Sequence, residues 1–315
     1  MDDNSYITFA DKVRQQKKCV LYELVPPLKN IDKRTLKESV SLIVSLLREL
    51  PVDAINIPEV REEKRNGERD GGGAEKLEPH VLANYLFSAG FENVVVNRPI
   101  VYSPWSEQRK WLDDLYGSKD IRNFIFVGGE SSKEHYPGIG VAEAALEVTQ
   151  TQKHKFSDIF LGGISIPTRK NEAERLLKKT LAGIEFFTTQ ILYESESIKQ
   201  LLQEYWDLCL EKKSEARMIF LSFAPVTSKK DIDLLSWLGV KFPELTLQRL
   251  TSGWLGMGWR SLDICREIVE DVFGFVKKRG IGVPLGLNIG YINRHNFEFS
   301  ISFLEKLSLS YVSLK

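Results

Sequence analysis

Polar side chains stand at the ends of three apolar segments, where their type and position could support chemistry. Glu23 lies inside the run "CVLYELVPP", Glu130 follows Gly128-Gly129 in "NFIFVGGE", and Gln190 comes near the end of "IEFFTTQI". A partly desolvated carboxyl group keeps its proton more readily than one in water, which would let Glu23 act as a general acid. The same glutamate could instead pair with a lysine or arginine of the fold, and the sequence leaves both interpretations open.

A glycine pair follows one of these segments, and a second pair lies in another apolar run, "DIFLGGISI". Gly128-Gly129 would allow a ligand to approach the backbone closely, and Gly163, which follows another glycine, has the same property. Plain turns use glycine pairs as well, so both roles stay open. The triple glycine at 71–73 is not a phosphate loop, because no Gly-Lys-Ser/Thr follows it.

The elements that must position these residues follow a regular rhythm. Eight short runs rich in Val, Ile and Phe alternate with longer amphipathic stretches, which is typical of a parallel sheet with crossover helices. Helices are predicted at 171–182, ending before Gly183, and at 194–212, with three more at about 229–238, 243–250 and 260–279. The predicted strands are 19–25, 54–58, 93–97, 123–129, 158–166, 184–191, 217–226 and 283–289.

Eight strands with right-handed crossovers close most economically into a (β/α)8 TIM barrel, with extra helices between strands seven and eight. An open doubly wound sheet is the alternative. We expect a single domain over 1–315, in which Glu23, Glu130 and Gln190 share the face formed by the C-terminal strand ends. Strand two opens into the charged segment 59–77, which we expect to be a mobile loop that acts as a lid or as a disordered excursion.

Composition narrows the classes of partner and compartment. Lys+Arg and Asp+Glu both total 43, so the chain lacks the global positive field that non-specific nucleic-acid binding requires, and a small-molecule partner is expected. The three cysteines form no paired motif, and no segment has the apolar length of a signal peptide or membrane span, which predicts a cytoplasmic protein. The four histidines lack metal-ligand spacing, so no metal site is predicted. The sequence leaves open whether the protein forms a homo-oligomer.

The motifs together resemble the methylenetetrahydrofolate reductase family. The resemblance lies in "YELVPP", in the glycine-glycine-acid after strand four, and above all in "ERLLKKTLAGIEFFTTQILYE". That stretch has the family's helical lysine at Lys179, then Ala-Gly, then a strand that ends in Thr189-Gln190 before an acid. "GYINR" at 290–294 is similar to the family's final Thr-Leu-Asn-Arg, so the resemblance extends from about Tyr22 to Arg294.

The resemblance implies a reaction and a set of roles. The reaction is the reduction of 5,10-methylenetetrahydrofolate to 5-methyltetrahydrofolate with NAD(P)H as the hydride source. Glu23 matches the general acid that helps to open the five-membered ring to an iminium, and Glu130 matches an acid near both folate and cofactor. Gln190, with Thr189 beside it, matches the family's pterin contact.

The cofactor positions depart from the family pattern, which usually holds FAD through an Arg-Gly-Asp turn, a Thr, a His and a Tyr-Pro. Only Lys179 is retained, so the chain either holds FAD differently or resembles the flavin-independent branch, in which NAD(P)H donates hydride directly to folate. The alternative function is a non-redox pterin-binding barrel that serves as a methyl-transfer component or an inactive partner subunit. The predicted cofactor-binding residues are Gly128, Gly129, Pro58, Asn97, Gly163 and Lys179.

Overall fold

The structure is a computed structural model that describes residues 7–61, 75–129, 134–253, 256–290 and 296–314. Eight parallel strands form one closed barrel in chain order. The barrel closes because β1 pairs with β8, with Val20 opposite Leu287, which confirms the predicted TIM barrel and rules out the open sheet. The strands are β1 Val20–Glu23, β2 Ala54–Ile57, β3 Val94–Pro99, β4 Asn123–Val127, β5 Phe160–Ser165, β6 Phe186–Ile191, β7 Met218–Phe223 and β8 Leu285–Ile289.

Helices surround the barrel, and three of them lie between β7 and β8 as predicted. The predicted start of the third, at 260, is three residues late, since this helix begins at Met257. None of the described helices is long and apolar enough to cross a membrane. The helices are α1 Phe9–Arg14, α2 Lys33–Leu47, α3 Pro79–Ser88, α4 Trp105–Ser118, α5 Val141–Leu146, α6 Glu172–Leu181, α7 Glu196–Lys212, α8 Lys229–Trp237, α9 Glu244–Thr251, α10 Met257–Arg279 and α11 Phe297–Ser313.

The helix α6 ends at Leu181, one residue before the predicted end, and Ala182 is its C-cap. Gly183 follows it with φ +101°, a left-handed conformation that glycine adopts without steric cost. A Cβ atom at Gly183 would also lie 2.5 Å from Thr149 Oγ1, so this residue combines a backbone requirement with a close approach to a neighbouring helical segment. After the end of α6 the chain continues into β6, the strand that carries Gln190.

The lower parts of the strands are apolar on both faces because each face is covered. Outward residues such as Tyr22 and Phe187 pack against the helices, whereas inward residues such as Leu21 and Phe220 fill the barrel. The N-terminal end is closed by Phe9 of α1, a helix that the sequence did not predict. Its ring lies 5.5 Å from that of Phe186, so the lower barrel is a packed core and the open end carries the candidate site.

Candidate functional site

The strand registers arrange the inward residues in layers of four, each layer contributed by alternate strands. The lowest of three successive layers is apolar, and the two above it, toward the C-terminal strand ends, are rich in polar groups. From the bottom, the layers are Leu21, Val95, Gly162 and Phe220; then Asn56, Ile125, Thr188 and Asn288; then Glu23, Asn97, Ile164 and Ser222.

Glu23 occupies the upper polar layer at the end of β1, where it is half-buried. Asn56 lies directly across from it on β2, and its Nδ2 donates to Glu23 Oε2 at 3.3 Å. Asn56 is only 1% exposed. One described contact of Glu23 inside the barrel is therefore with a neutral amide. The pairing of Glu23 with a lysine or arginine stays an open alternative.

A second polar pair lies on the other side of β1. Asn288 of β8 donates from Nδ2 to Ser222 Oγ of β7 at 3.0 Å. The Oδ1 atoms of Asn56, Asn97 and Asn288 are buried, and no hydrogen-bond partner for them exists in the part of the chain that the structure describes. Buried carbonyl oxygens require donors. The arc from β7 through β1 to β3 therefore offers acceptors that ordered water or the N–H groups of a ligand could satisfy.

Thr189 and Gln190 lie at an irregularity of the sheet. The register between β6 and β7 shifts between Thr188 and Ile191, so the strand bulges at the predicted substrate residues. Thr189 Oγ1 accepts from the Ser222 backbone N–H at 2.9 Å, which replaces a ladder hydrogen bond with one from a side chain. Bulges are often found beside active sites, where they change the direction of a side chain.

The bulge also determines what Gln190 and Ile191 contact. Gln190 Nε2 donates to the carbonyl of Leu238, the residue that ends α8, at 2.9 Å. Ile191 reaches toward the barrel axis, because a Cβ atom on Gly290 would lie 3.0 Å from Ile191 Cδ1 and 3.7 Å from Glu23 Oε1. Gln190 is thus held at the rim by the end of α8, and Ile191 lies near the predicted acid.

Two of the predicted cofactor glycines are explained by packing. A Cβ atom at Gly129 would lie 2.2 Å from the ring of Tyr136, and one at Gly163 would lie 3.3 Å from the ring of Phe187 on the outer face of the sheet. Gly128 has more room, with Val141 Cγ2 at 3.8 Å. The missing side chains at Gly129 and Gly163 therefore accommodate aromatic rings.

Lys179 lies between α6 and the sheet. Its Nζ donates to the carbonyl of Ile164 at 2.6 Å and lies 5.9 Å from the centre of the Phe187 ring. Burial lowers the pKa of Lys179 to about 8, although the nearby carboxylate of Glu172 acts in the opposite direction. Glu172 is itself buried and pairs with Arg169 at 2.7 Å. Through these contacts the side chain of Lys179 is bound to strand β5.

The remaining predicted residues fall into two groups. Pro58 follows β2 half-buried, and Asn97 shares the layer of Glu23. Glu130 lies outside the described residues, and so do 62–74 of the charged segment 59–77. Both ends of that segment are anchored: Arg98 donates to Glu59 at 2.8 Å, and the Lys29 N–H donates to the Glu75 carbonyl at 2.8 Å.

The described cofactor positions do not fit a flavin held as the reductase family holds it. A flavin dinucleotide needs cationic or N–H donors for its phosphates. At the described predicted positions the one cation is Lys179, whose Nζ is bound to a backbone carbonyl, and two glycines face aromatic rings. Within the described ranges, no group of three or more His, Cys, Asp or Glu side chains could hold a metal ion.

Sequence reasoning missed Asn56, Ser222 and Asn288. Each is a single polar residue in an apolar strand, in "AINIP", "IFLSFAP" and "LGLNI". Glu23 was noticed because a charged residue stands out in such a run. A search for single neutral polar residues in apolar runs would have found all three. The alternation of side chains between the two faces of a strand would then have placed them inside the barrel.

No protein-family model and no curated protein matches the chain. Among solved structures, it is similar to a Clostridium thermocellum protein that binds two copies of 5-methyl-5,6,7,8-tetrahydrofolic acid, with 20% identity, coverage of 96% of this chain and 98% of that chain, and a TM-score of 0.74. It is also similar to apo-MsnO8, with 10% identity, coverage of 95% and 99%, and a TM-score of 0.53. At these identities the comparisons show the barrel fold.

A weaker similarity exists to the oxygenating constituent of 3,6-diketocamphane monooxygenase from Pseudomonas putida, a Baeyer-Villiger monooxygenase in complex with FMN. The identity is 9%, the coverage is 92% of this chain and 97% of that chain, and the TM-score is 0.49. This similarity is too low for the FMN of that protein to bear on the cofactor of this chain.

Proposed function

We propose that the chain binds a reduced folate at the C-terminal mouth of its barrel and reduces 5,10-methylenetetrahydrofolate to 5-methyltetrahydrofolate with NAD(P)H. The observation that carries the proposal is the position of Glu23, half-buried at a barrel strand end and paired with the neutral amide of Asn56. An acid in this place suits a reaction that must protonate a nitrogen before a carbon–nitrogen bond breaks. The similarity to a barrel that binds 5-methyltetrahydrofolic acid supports the choice of folate.

In this proposal, Glu23 donates its proton to the departing nitrogen of the five-membered ring. The ring opens to an iminium at the other nitrogen, and hydride from NAD(P)H adds to the methylene carbon to give the methyl group. Glu23 is left ionised, and the Asn56 N–H at 3.3 Å stabilises that charge. A proton from solvent then restores the acid for the next turnover.

The pterin ring would be recognised by amides. Its ring N–H and amino groups are donors, and the buried Oδ1 atoms of Asn97 and Asn288 are acceptors that need donors. Gln190 at the rim could accept or donate through its side chain, and Thr189 contributes by holding the bulge on which Gln190 stands. Glu130 is proposed as the second carboxylate of the site from its place after β4.

NAD(P)H is proposed as the direct hydride donor, because the described residues do not fit the flavin contacts of the reductase family. FAD is the alternative, and it has a simple test. The visible absorption spectrum of the purified protein should lack the flavin band, which lies at roughly 450 nm. A protein that purifies yellow and loses activity with its flavin would overturn the direct route.

The function is tested by following NAD(P)H oxidation with 5,10-methylenetetrahydrofolate, with and without added FAD, while chromatography detects 5-methyltetrahydrofolate. We expect NAD(P)H consumption equal to methyl product formed. No oxidation under either condition, in a protein that still binds folate, would contradict both reductase routes. The buried thiols of Cys19, Cys209 and Cys265 are unpaired, which suits the reducing cytoplasm that we propose as its compartment.

A second function, a non-redox barrel that binds methylated folate, is favoured by one observation. The Clostridium thermocellum structure holds 5-methyltetrahydrofolic acid, the methylated form, in two copies. Calorimetric titration with 5-methyltetrahydrofolate separates the two proposals when combined with the oxidation assay. Binding together with turnover supports the reductase, and binding without turnover supports a methyl-transfer component or an inactive partner subunit.

A further inference from the structure

Asn56 and Glu23 make a contact whose chemistry depends on the protonation state of the glutamate. The two residues are direct register partners on β1 and β2, and Asn56 Nδ2 lies 3.3 Å from Glu23 Oε2. An amide N–H that donates to a carboxylate favours the ionised form, and a charge-assisted bond of this kind is stronger than one between neutral groups. The contact therefore matches the state of Glu23 after it has given up a proton.

The other atom of the amide is available for the opposite state. Asn56 Oδ1 is buried without a hydrogen-bond partner among the described residues, and the side chain as a whole is 1% exposed. The NH2 donor and the oxygen acceptor of a side-chain amide occupy similar positions on either side of its terminal carbon. Rotation about the last side-chain torsion therefore exchanges the donor and the acceptor. In the rotated orientation, Oδ1 could accept the hydrogen bond of a protonated Glu23.

Among the described residues, the two polar layers that hold this pair contain no other charged side chain. The other members of the two polar layers, which come from β3 to β8, are Asn, Ser, Thr and Ile residues. The charged groups after β2 and near the end of β3 pair with one another: Glu59 pairs with Arg61 at 3.1 Å and with Arg98 of β3 at 2.8 Å. Arg98 also lies over the Trp111 ring of α4, outside the barrel. Asn56 is thus a neutral interior group, among the described residues, that can respond to the charge of Glu23.

We propose that Asn56 is a positioning residue that pairs with Glu23 in both protonation states and holds its carboxyl group in one place during proton transfer. The proposal rests on the function proposed above, in which Glu23 is the acid. Because the bond to the ionised state is the stronger of the two, Asn56 also makes proton donation easier.

The experiment is a pH titration of the full-length protein followed by 13C NMR of labelled glutamate carboxyl carbons, with Glu23→Gln used to assign the Glu23 signal. Asn56→Leu removes the amide, and Asn56→Asp keeps its shape but adds a like charge. Thr188→Val is the control, because Thr188 is buried in the same layer as Asn56 on β6, across the barrel from β2.

We expect the titration midpoint of Glu23 to rise by about one pH unit in Asn56→Leu. It should rise further in Asn56→Asp, because like charges oppose ionisation, and stay unchanged in Thr188→Val. In the folate assay, kcat of Asn56→Leu should fall on the order of tenfold with a smaller change in KM, and its pH profile should move upward. A purely structural asparagine would alter stability and leave the midpoint in place.

A midpoint that stays at the wild-type value in folded Asn56→Leu and Asn56→Asp overturns the proposal, and so does an equal shift in Thr188→Val. The NMR titration needs no substrate, so it tests the role of Asn56 independently of folate reduction. Shifted midpoints in a protein that does not reduce folate would support Asn56 as the partner of Glu23 and contradict the reductase function.

Discussion

Glu23 combines the three properties that a general acid in a barrel requires: a place at the C-terminal end of a strand, partial burial, and a neutral partner. Sequence alone located it, because one carboxylate in an apolar run is conspicuous. Sequence could not supply Asn56 as its partner, since the pairing depends on which residue of β2 stands opposite Glu23.

Replacing Glu23 with glutamine should lower kcat for folate reduction by at least about 100-fold, because the amide cannot donate a proton of comparable acidity. Folate affinity should change little, since shape and hydrogen-bonding capacity are kept. Steady-state kinetics and calorimetric titration measure the two effects. Glu185→Gln is the control, because Glu185 lies before β6 and pairs with Arg14 of α1. Near-normal turnover in Glu23→Gln would refute the acid role.

The hydroxyl of Thr189 should stabilise the bulge in β6. Thr189→Val keeps the shape but leaves the buried Ser222 N–H without its acceptor, at a cost of about 1–3 kcal/mol in the free energy of unfolding. Urea denaturation measures this loss, and weaker folate binding should accompany it because Gln190 stands on the bulge. Thr188→Val, one residue earlier and also buried, should cost less. Equal losses in the two variants would contradict a special role for Thr189.

At the scale of elements, the strands were predictable because every one is a short apolar run covered on two faces, and the three helices before β8 were predictable from their spacing. The bulge at Thr189 and Gln190 was not, because a one-residue change of register leaves hydrophobic periodicity almost unaltered. The glycines at 129 and 163 were ambiguous for a similar reason. Their partners, Tyr136 and Phe187, are set by the fold rather than by adjacent sequence.

The contact of Lys179 with β5 should make stability depend on pH. Its folded pKa of about 8 lies below the ordinary value of 10.5, so between these values the unfolded chain binds more protons than the folded one. Stability linked to this group should therefore rise with pH from about 8 to 10.5. Burial raises the pKa of Cys265, which acts in the opposite direction at high pH, so a comparison with variants is required.

Lys179→Met should remove the part of this pH dependence that Lys179 contributes, because methionine fills a similar volume and does not titrate. Urea denaturation at pH values across that window measures it, as the difference between wild type and variant. Lys178→Met is the matched control, since Lys178 is the exposed neighbour on α6. If the two variants have identical pH profiles of stability, the buried-lysine interpretation fails.

At the scale of the whole molecule, the aromatic core and the candidate site lie at opposite ends of the barrel axis. The N-terminal end is packed by aromatic rings around Phe9, and the C-terminal end carries amides and a carboxylate. The closed barrel followed from counting strands, whereas the packing of α1 beneath it did not, because six helical residues have no distinctive periodicity. The folate chemistry that we propose would take place at the open end.

This separation predicts that a change at the closed end affects folding alone. Phe9→Ala should lower the free energy of unfolding by about 3–5 kcal/mol, because a fully buried ring is removed from the core. Ile7→Ala, at a side chain that is 41% exposed, should cost far less. Folate affinity of both variants should match wild type at temperatures where they are folded. A weakened affinity in folded Phe9→Ala would show that the two ends are coupled.

A crystal structure of the protein with 5-methyltetrahydrofolate would show whether a reduced folate binds at the mouth of the barrel beside Glu23. We expect a pterin ring on the C-terminal face, with the carboxyl group of Glu23 within about 3 Å of a folate nitrogen or one water away from it. Gln190 should lie at the ring edge. A folate bound only elsewhere, for example in the cleft near Lys12 and Asp53 at the opposite end, would contradict this expectation.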